Sequence, residues 1–147
     1  MKIERKFTRN SDNLDEGAYG ALEFTTISSE IRNPDGTIVF SLSEIEVPAS
    51  WSQVASDVLA QKYFRKAGVA AVLKKVEEKG VPEFLWPSVP DGEAIAKLPE
   101  NQRFTGETSA KQVFNRLAGA WTYWGWKGGT FTKETDARAY YDEMRFM

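Results

Sequence analysis

The fold is decided by residues 24–47, which read FTTISSEIRNPDGTIVFSLSEIEV. Thr, Ile, Val and Phe dominate this stretch, and it shows little helical periodicity, which is typical of β-strands. Residues 33–36, NPDG, divide it with the composition of a type I turn, because proline presets one turn dihedral and glycine accepts positive φ. Ile38, Phe40 and Leu42 then recur at every second position. The stretch therefore predicts a β-hairpin.

The rest of the chain predicts helices on the C-terminal side of this hairpin. Four of the 6 prolines fall within residues 81–108, and this density precludes a long helix there. We expect an α+β fold, mainly helical, with an N-terminal β-hairpin or small antiparallel sheet followed by about four helices. The predicted segments are a polar arm, loop-like or loosely held, over 1–20 and one domain over 21–147, divided into strands (21–47), helices (48–80), a Pro-rich connector (81–108) and helices (109–147).

Residues 50–53, SWSQ, form a capping-box pattern that predicts the start of the first helix. Gly68 is a plausible stop for that helix, and a second helix is predicted over 70–79, closed by Gly80. The apolar stripe expected to face the core consists of Trp51, Val54, Ala55, Val58, Leu59 and Tyr63.

Residues 109–112, SAKQ, repeat the capping-box pattern and predict a third helix that ends at Gly125. Thr132 is expected to open a last helix, which carries no C-terminal stop signal. That missing stop suggests that the chain is one piece of something larger. The apolar face predicted for the third helix consists of Val113, Phe114, Leu117, Ala118, Trp121 and Trp124, and that of the last helix of Ala137, Tyr140, Tyr141, Met144 and Met147.

The composition excludes several kinds of catalytic site. The 147 residues include no cysteine and no histidine, so a thiol nucleophile, a zinc finger and a histidine general base are all excluded. The net charge of −2 argues against a dedicated nucleic-acid binder. No apolar run approaches the roughly 18 residues of a membrane span, and the charged N-terminus lacks the apolar core of a signal peptide. We expect a soluble, cytoplasmic protein without a metal site.

A dense aromatic cluster is the first candidate for a binding surface. Its aromatic members are Trp121, Tyr123, Trp124 and Trp126, and Arg116 and Lys127 lie among or beside them. Aromatic residues interleaved with cations can stack nucleobases. Aromatic residues are also enriched in protein cores and at subunit interfaces. Because the net charge is acidic, a core or interface role is favoured here over the stacking of nucleobases.

Two basic segments can be interpreted in more than one way. Lys62, Arg65 and Lys66 are predicted to share a helical face, where they either bind a phosphate or a partner or remain solvated at a helix C-terminus. Residues 127–130, KGGT, either hold an anion on exposed amides or form a tight turn between helices. The spacing of a phosphate-binding loop is absent.

Several stretches together resemble the N-terminal region of class II ribonucleotide reductases, the vitamin B12 (adenosylcobalamin)-dependent enzymes. The resemblance extends from about residue 20 to the end of the chain. The stretches are FTTISSEIRNPDG (24–36), VPASWSQVA (47–55), KYFRKAGV (62–69), RLAG (116–119), WTYWGWKGG (121–129) and DARAYYDEM (136–144).

The resemblance implies a non-catalytic role, because the family's radical-bearing cysteine, redox cysteine pair and substrate-phosphate loop all follow later in the chain. It implies an N-terminal piece of a split or truncated reductase, whose partner is a catalytic barrel subunit. Adenosylcobalamin is implied for the full enzyme and no cofactor for this chain alone. The expected docking elements are the cluster at 121–126 and the helix at 133–147. The residues expected to contact the partner or a nucleotide are Lys62, Arg65, Arg116, Trp121, Tyr123, Trp124, Trp126 and Lys127.

Two other functions remain open at this point. The chain can be a stand-alone module that binds a nucleotide or single-stranded nucleic acid, as the aromatic and basic residues indicate. It can also be a regulator that competes with the N-terminal region of an intact reductase.

Overall fold

The computed structural model describes residues 1–9 and 17–147 and has a mixed α+β fold, which confirms the predicted class. A β-hairpin is followed by five helices and by two short two-stranded ladders. The strands are β1 (Phe24–Arg32), β2 (Ile38–Pro48), β3 (Val69–Ala70), β4 (Leu73–Lys75), β5 (Ser88–Pro90) and β6 (Phe104–Thr105). The helices are α1 (Gln53–Lys62), α2 (Gly92–Ala96), α3 (Glu100–Arg103), α4 (Ala110–Lys127) and α5 (Glu134–Phe146), with 3₁₀ turns at Gly17–Tyr19 and Glu83–Leu85.

The predicted hairpin is present, and its turn forms as the sequence indicates. The amide of Gly36, at φ 85°, donates to the carbonyl of Asn33 at 2.9 Å, and β1 and β2 pair antiparallel. The register slips by one residue between the pairs Ile27↔Ile45 and Ser29↔Leu42. Glu44 lies in this bulge with φ 56°.

The bulge changes which residues of β2 face the core. Side chains alternate along a strand, so one extra residue moves the following positions to the other face. Before the bulge Phe40 and Leu42 pack against the core, whereas after it Ile45 and Val47 are buried. Ile38, which the alternation places with Phe40 and Leu42, is 52% exposed near the hairpin tip.

The core lies between the hairpin, α1 and the first half of α4. Its members come from segments distant in sequence, so this packing fixes how the helices sit on the hairpin. The buried cluster consists of Ile45, Val47, Leu59, Ala60, Phe64, Ala110 and Val113.

The apolar stripe predicted for α1 faces mainly outward. The helix is capped by Ser52, whose hydroxyl accepts from the Ala55 amide, and not by Ser50. Its buried residues are Ser56, Leu59 and Ala60, because the hairpin covers that side. Ser56 tolerates burial because its hydroxyl donates to the Ser52 carbonyl at 3.1 Å. The stripe residues left exposed are Trp51, Val54, Val58 and Tyr63.

The helix predicted over 70–79 is wrong, because this segment forms β3 and β4. Both strands pair with residues from the connector: β3 with β6, and β4 with β5. The local sequence pattern is helical, but strand pairing with residues at least 13 positions further along the chain determines the structure of this segment. The connector itself contains only short elements, in keeping with its prolines.

The last two helices differ from prediction at their ends. Ser109 and Gln112 form the predicted capping box of α4. The helix continues through Gly125 to Lys127. The Phe131 ring packs where a side chain at 125 would lie, so glycine at this position makes room for that ring. Lys133, and not Thr132, is the N-cap residue of α5.

Residues 1–9 have no regular secondary structure, but they are fastened to α5. The Glu143 carboxylate accepts from the Thr8 amide at 2.8 Å and from its hydroxyl at 2.7 Å. Thr8 and Glu143 are both buried, so this part of the predicted arm is held by specific contacts. The part of the arm at 10–16 lies outside the described residues. No helix in the described part of the chain has the length and apolarity needed to cross a membrane.

Candidate functional site

A cleft of about 880 Å³ opens beside α4, between that helix and the strands β3 to β5. We call it the α4 cleft. Its lining includes the small residues Gly119 and Ala120, which leave room between larger side chains. Its aromatic lining residues are Phe84, Trp86, Tyr123, Trp124 and Tyr141, and its charged ones are Arg65, Lys75, Glu107 and Arg116.

Glu107 organises the basic side of the α4 cleft. It is 3% exposed, and its carboxylate accepts from Arg116 Nε at 2.8 Å and from the Arg65 backbone amide at 2.9 Å. The Glu107 amide in turn donates to the Arg65 carbonyl at 2.8 Å. One buried carboxylate therefore holds the Arg116 guanidinium and the Arg65 backbone in place.

Two cations of the α4 cleft carry no counter-ion. Within residues 1–9 and 17–147, the Arg65 guanidinium has neither an ion pair nor a hydrogen bond, and Arg65 is exposed. Lys75 Nζ donates only to a neutral group, the Glu83 carbonyl, at 2.9 Å. Since Glu107 balances Arg116, the described lining keeps an excess positive charge in a chain whose net charge is −2.

The predicted aromatic cluster at 121–126 is divided by the fold. Tyr123 bonds through its hydroxyl to the Glu78 carboxylate at 2.9 Å, and Trp126 Nε1 donates to the Gly80 carbonyl at 2.8 Å. Lys127 Nζ lies 2.7 Å from Glu78 Oε1. These three residues hold the loop at 78–80 against α4, which is a structural role.

The contacts to Glu78 also shift the ionisation of the groups involved. The hydrogen bond from Lys127, and then the one from Tyr123, lowers the pKa of Glu78. The same carboxylate raises the pKa of Lys127 and that of Tyr123 by accepting their hydrogen bonds. All three groups therefore keep their hydrogen-bonded charge states at neutral pH.

Trp121 and Trp124 are the members of the cluster that remain exposed, at 41% and 65%. Trp124 lines the α4 cleft, whereas Trp121 does not. On α4, Trp121 lies seven residues beyond Phe114, and the two therefore share a helical face. The Phe114 ring is 5.8 Å from the Trp51 ring at the start of α1.

An apolar surface thus extends across α1 and α4. We call it the outer apolar face and define it by Trp51, Val54, Val58, Phe114 and Trp121. Val54 is 71% exposed and Val58 49%, and they lie one turn apart on α1. The sequence predicted these α1 residues as core, and the structure leaves them uncovered within the described chain.

The basic segment at 62–66 is not one helical face. The helix α1 ends at Lys62, which is exposed, so Arg65 and Lys66 lie beyond it. The Lys66 ammonium packs 4.3 Å from the centre of the Phe40 ring and donates to the Ala60 carbonyl. Burial lowers the pKa of Lys66. Of this group, Arg65 alone lines the α4 cleft.

The segment at 127–130 is a turn and not an anion nest. The amides of Gly128, Gly129 and Thr130 donate to carbonyls at the end of α4, at 2.9, 3.0 and 2.9 Å respectively. These amides are therefore already satisfied.

A second charged cluster fastens the arm to α5, and no sequence motif predicts it. Asp142 Oδ2 lies 2.8 Å from Arg5 Nη2, and Asp142 Oδ1 lies 2.6 Å from Arg145 Nη2. Burial alone would raise the pKa of Asp142, but the hydrogen bonds from Arg5 and Arg145 outweigh it and the pKa is lowered. The pKa of Glu143 is lowered in the same way, because hydrogen bonds from Thr8 and from arm amides outweigh its burial.

Sequence reasoning also missed Glu107 and Lys75 as residues of the α4 cleft. Lys75 fell in a segment predicted to be helical, and Glu107 stood in the connector without any motif. Conversely, of the eight predicted contact residues, the α4 cleft brings together Arg65, Arg116, Tyr123 and Trp124 and leaves out Lys62, Trp121, Trp126 and Lys127. Among the described residues, no three carboxylates are placed to hold a metal ion.

Comparison with known proteins identifies the family of this chain. Residues 25–147 match the family of class II vitamin B12-dependent ribonucleotide reductases. Over all 147 residues the chain is 63% identical to a vitamin B12-dependent ribonucleotide reductase of Bradyrhizobium diazoefficiens and 57% identical to one of Agrobacterium fabrum. A reductase of the same description from Rhodopirellula baltica is 46% identical over 64 residues, which are 44% of this chain and 6% of that protein.

The chain belongs to the class II ribonucleotide reductase family and corresponds to its N-terminal domain. It spans 11% of the length of the Bradyrhizobium and Agrobacterium relatives. Both of these relatives are described as vitamin B12-dependent.

Proposed function

We propose that this chain is the N-terminal fragment or small subunit of a split adenosylcobalamin-dependent ribonucleoside-diphosphate reductase. Its role in this proposal is structural: it docks on a catalytic barrel subunit and does no chemistry alone. The complex would reduce ribonucleotides to deoxyribonucleotides for DNA synthesis in the cytoplasm.

The absence of cysteine supports a role without chemistry. The family's radical chemistry needs thiols, and this chain has none. Its matches to two relatives cover all of this chain but only 11% of each relative. Under the proposal, the reacting groups belong to the remaining part of the enzyme.

The outer apolar face is the observation that carries the docking role. The exposed parts of Trp51, Val54, Val58 and Trp121 amount to on the order of 350 Å² of apolar surface, given the usual size of such side chains. A standard interface buries roughly 800 Å² on each partner, and its centre is its most apolar part. Contiguous apolar patches of a few hundred Å² are often functional, and this supports the outer apolar face as the centre of the docking surface.

The structure offers less support for α5 as a docking element. Its buried side consists of Asp136, Ala137, Ala139, Asp142 and Glu143, and the carboxylates among them bind the arm or nearby arginines. The docking proposal therefore rests on α1 and α4.

The test is reconstitution with the missing part of the enzyme. The chain is mixed with a separately expressed catalytic barrel region from the same source, and with adenosylcobalamin and a ribonucleoside diphosphate. We expect the two proteins to co-elute on size exclusion and deoxyribonucleotide to form only in the mixture. A barrel region that is fully active alone and never binds this chain would overturn the proposal, and so would inhibition on mixing, which a regulator predicts.

A matched pair of variants localises the docking surface. Val54→Asp places a charge on the outer apolar face at the first turn of α1, where an acidic residue favours the helix. Val39→Asp places the same charge at the hairpin, where Val39 is 61% exposed. We expect Val54→Asp to weaken binding of the barrel region by about 100-fold or more, since a buried unpaired charge is costly, and Val39→Asp to change it less than about threefold. Equal effects of the two substitutions would show that docking uses another surface.

A further inference from the structure

We propose that the surface of α5 beneath the N-terminal arm, residues 1–9, is a peptide-binding site, and that the arm of a second copy of this chain can fill it in place of the chain's own. The ligand is an extended basic segment with an arginine, an aromatic residue and a threonine, spaced as Arg5, Phe7 and Thr8. The proposal does not depend on the docking role. We call this surface the arm site and define it by Asp136, Asp142, Glu143 and Phe146.

The arm lies along α5 as an extended peptide ligand. The Ile3 amide donates to Asp136 Oδ1 at 3.0 Å near the start of the helix, and the Phe7 amide donates to Glu143 Oε2 at 3.1 Å near its end. The two carboxylates are seven positions apart on α5, a rise of about 10.5 Å, which four residues of chain cover only when they are largely extended. The arm site therefore binds the backbone of an extended segment.

Two side chains of the arm make the contact selective. Arg5 Nη2 lies 2.8 Å from Asp142 Oδ2, and the Asp142 side chain is 4% exposed. The Phe7 ring stacks on the Phe146 ring, with the ring centres 5.3 Å apart and the planes 9° from parallel. Because a charge-assisted bond and a ring stack both depend on the side chain, the arm site selects an arginine and an aromatic residue two positions apart.

Glu143 is the member of the arm site that most needs an occupant. It is 9% exposed, and within residues 1–9 and 17–147 every hydrogen bond described for its carboxylate comes from the arm. The donors are the Phe7 amide and the amide and hydroxyl of Thr8. A carboxylate without donors at a buried position is costly, so an emptied arm site favours any segment that supplies the same donors.

The arm is separable from the rest of the fold. The buried cluster between the hairpin, α1 and α4 has no member from residues 1–9, and Phe7 is 56% exposed although its ring is stacked. Asp142 is also bound from within α5, by Arg145 at 2.6 Å, so its position does not rely on Arg5 alone. The arm can therefore leave α5 while the core and the arm site stay formed.

Charge complementarity identifies the arm itself as the matching ligand. The net charge of the whole chain is −2, but its first nine residues are basic. Against one carboxylate, Glu4, they carry four cations, which are Lys2, Arg5, Lys6 and Arg9. Opposite charges on the arm and on the carboxylates of α5 favour their encounter and select against acidic segments. A second copy of this chain supplies the same segment.

The chain's own arm has the advantage of a short tether. Seven residues join it to Gly17, where a Cβ would lie 2.8 Å from Arg145 Nη2 of α5. Both ends of the tether thus lie at α5, and a tether this short gives the chain's own arm an effective concentration of about 1 mM. A second copy therefore fills the arm site once the contacts of the chain's own arm are weakened.

The experiment opens the arm site in the whole chain and offers it a free arm. Arg5→Glu sets a carboxylate against Asp142 and is expected to release the chain's own arm, because like charges at a buried position repel. A fluorescent peptide with the wild-type sequence of residues 1–9 is then titrated, and its anisotropy is followed. We expect the Arg5→Glu chain to bind this peptide at least about tenfold more tightly than the wild-type chain does, because the wild-type arm competes for the site.

A control and a second variant assign the binding to the arm site. Arg9→Glu makes the same charge change, but the described bonds of the Arg9 side chain stay within the arm, so peptide binding should remain as weak as in the wild-type chain. Phe7→Ser opens the site without a new charge and should also raise the affinity for the peptide. Peptide affinity no higher than that of the wild-type chain in both Arg5→Glu and Phe7→Ser overturns the proposal. It is also overturned if a peptide that carries Arg5→Glu binds as tightly as the wild-type peptide.

Mixing two variants of the whole chain tests the second copy as the partner. The Arg5→Glu chain has an open arm site, and a Glu143→Gln chain has an intact arm that its own site holds weakly. We expect a 1:1 complex in sedimentation velocity at about 100 μM of each, well below the effective concentration of the tether, and no dimer of either variant alone. Two monomers that stay apart in the mixture would refute exchange between copies.

The outcome is distinguishable from that of the docking proposal. Binding of the arm is measured on this chain alone, whereas docking needs the barrel region. Val54→Asp should leave the affinity for the peptide unchanged, and Phe7→Ser should leave docking unchanged.

Discussion

Asp142→Asn is the substitution that most directly tests how the N-terminal arm is held. The Asp142 side chain is 4% exposed and meets the guanidinium groups of Arg5 at 2.8 Å, Arg138 at 3.3 Å and Arg145 at 2.6 Å. Asparagine has almost the same shape but no charge. The substitution therefore leaves Arg145, whose side chain is 10% exposed, as a buried cation without a counter-ion.

The expected loss follows from the burial of each partner. Removing one member of a buried ion pair costs about 3–5 kcal/mol, and the contact to Arg145 belongs to this class. The side chains of Arg5 and Arg138 are 31% and 29% exposed, so each of these pairs adds at most about 1 kcal/mol. Because asparagine keeps some neutral hydrogen bonds, we expect a net loss of about 3–4 kcal/mol in the free energy of unfolding. That corresponds to a decrease of about 10 °C in Tm for a chain of this size.

The assay is urea unfolding followed by circular dichroism at pH 7, combined with hydrogen exchange of the amides of Phe7 and Thr8. These amides donate to Glu143, one residue from Asp142, and should exchange faster once Arg5 is released. Glu30→Gln is the control: Glu30 pairs with Arg32, the two side chains are 37% and 56% exposed, and the loss should stay below about 1 kcal/mol.

The pH dependence gives an independent check on the charge. The pKa of Asp142 is lowered in the folded protein, so its ionised form stabilises the fold at pH values above the ordinary aspartate value of about 3.9. That contribution is lost as the pH falls through the lowered folded-state pKa. The difference between wild type and Asp142→Asn should therefore shrink between pH 7 and pH 3. A loss below about 1 kcal/mol at pH 7, or a difference that does not change with pH, would refute this account of the cluster.

Three further substitutions test other parts of the fold. Ser109→Ala removes the capping box of α4 and should lower the free energy of unfolding by about 1 kcal/mol in urea titrations, whereas no loss would mean that the cap is redundant. Gly106→Ala brings a Cβ to 2.9 Å from the backbone oxygen of Lys66 and should cost about 1–3 kcal/mol by thermal melting; an unchanged Tm would show that this loop relaxes freely. Val113→Ala should lower the free energy of unfolding by about 2 kcal/mol, because Val113 is 1% exposed in the core. Val54→Asp should leave it nearly unchanged, because Val54 is exposed. A larger loss for Val54→Asp than for Val113→Ala would contradict the orientation of α1 and α4.

Much of the local structure was predictable because its causes are local. The NPDG turn at 33–36 and the capping box of Ser109 and Gln112 each depend on residues within four positions of one another, and both form as expected. The family was also predictable from the order of short stretches, and the comparison over residues 25–147 confirms it.

The candidate sites were predictable only in part, because the sequence does not say which side of a helix is covered. The spacing of Val54, Val58 and Leu59 on α1 is compatible with burial of either side. The hairpin covers Leu59 and leaves the two valines exposed. In the same way Trp121 and Trp126 belong to one cluster in the sequence. In the fold, Trp126 Nε1 donates a hydrogen bond to the Gly80 carbonyl, whereas Trp121 remains exposed.

By itself, the sequence determined the hairpin, the helix that starts at Ser109, the exclusion of thiol and histidine chemistry, and the resemblance to one family. Only the tertiary structure decided that residues 69–75 pair as strands, that Glu107 joins Arg65 to Arg116, and that an apolar face spans α1 and α4. The physical reason is the range of the interactions. Turns and caps are satisfied by near neighbours in sequence, whereas strand pairing, buried charge and exposed apolar surface depend on which distant segments meet in space.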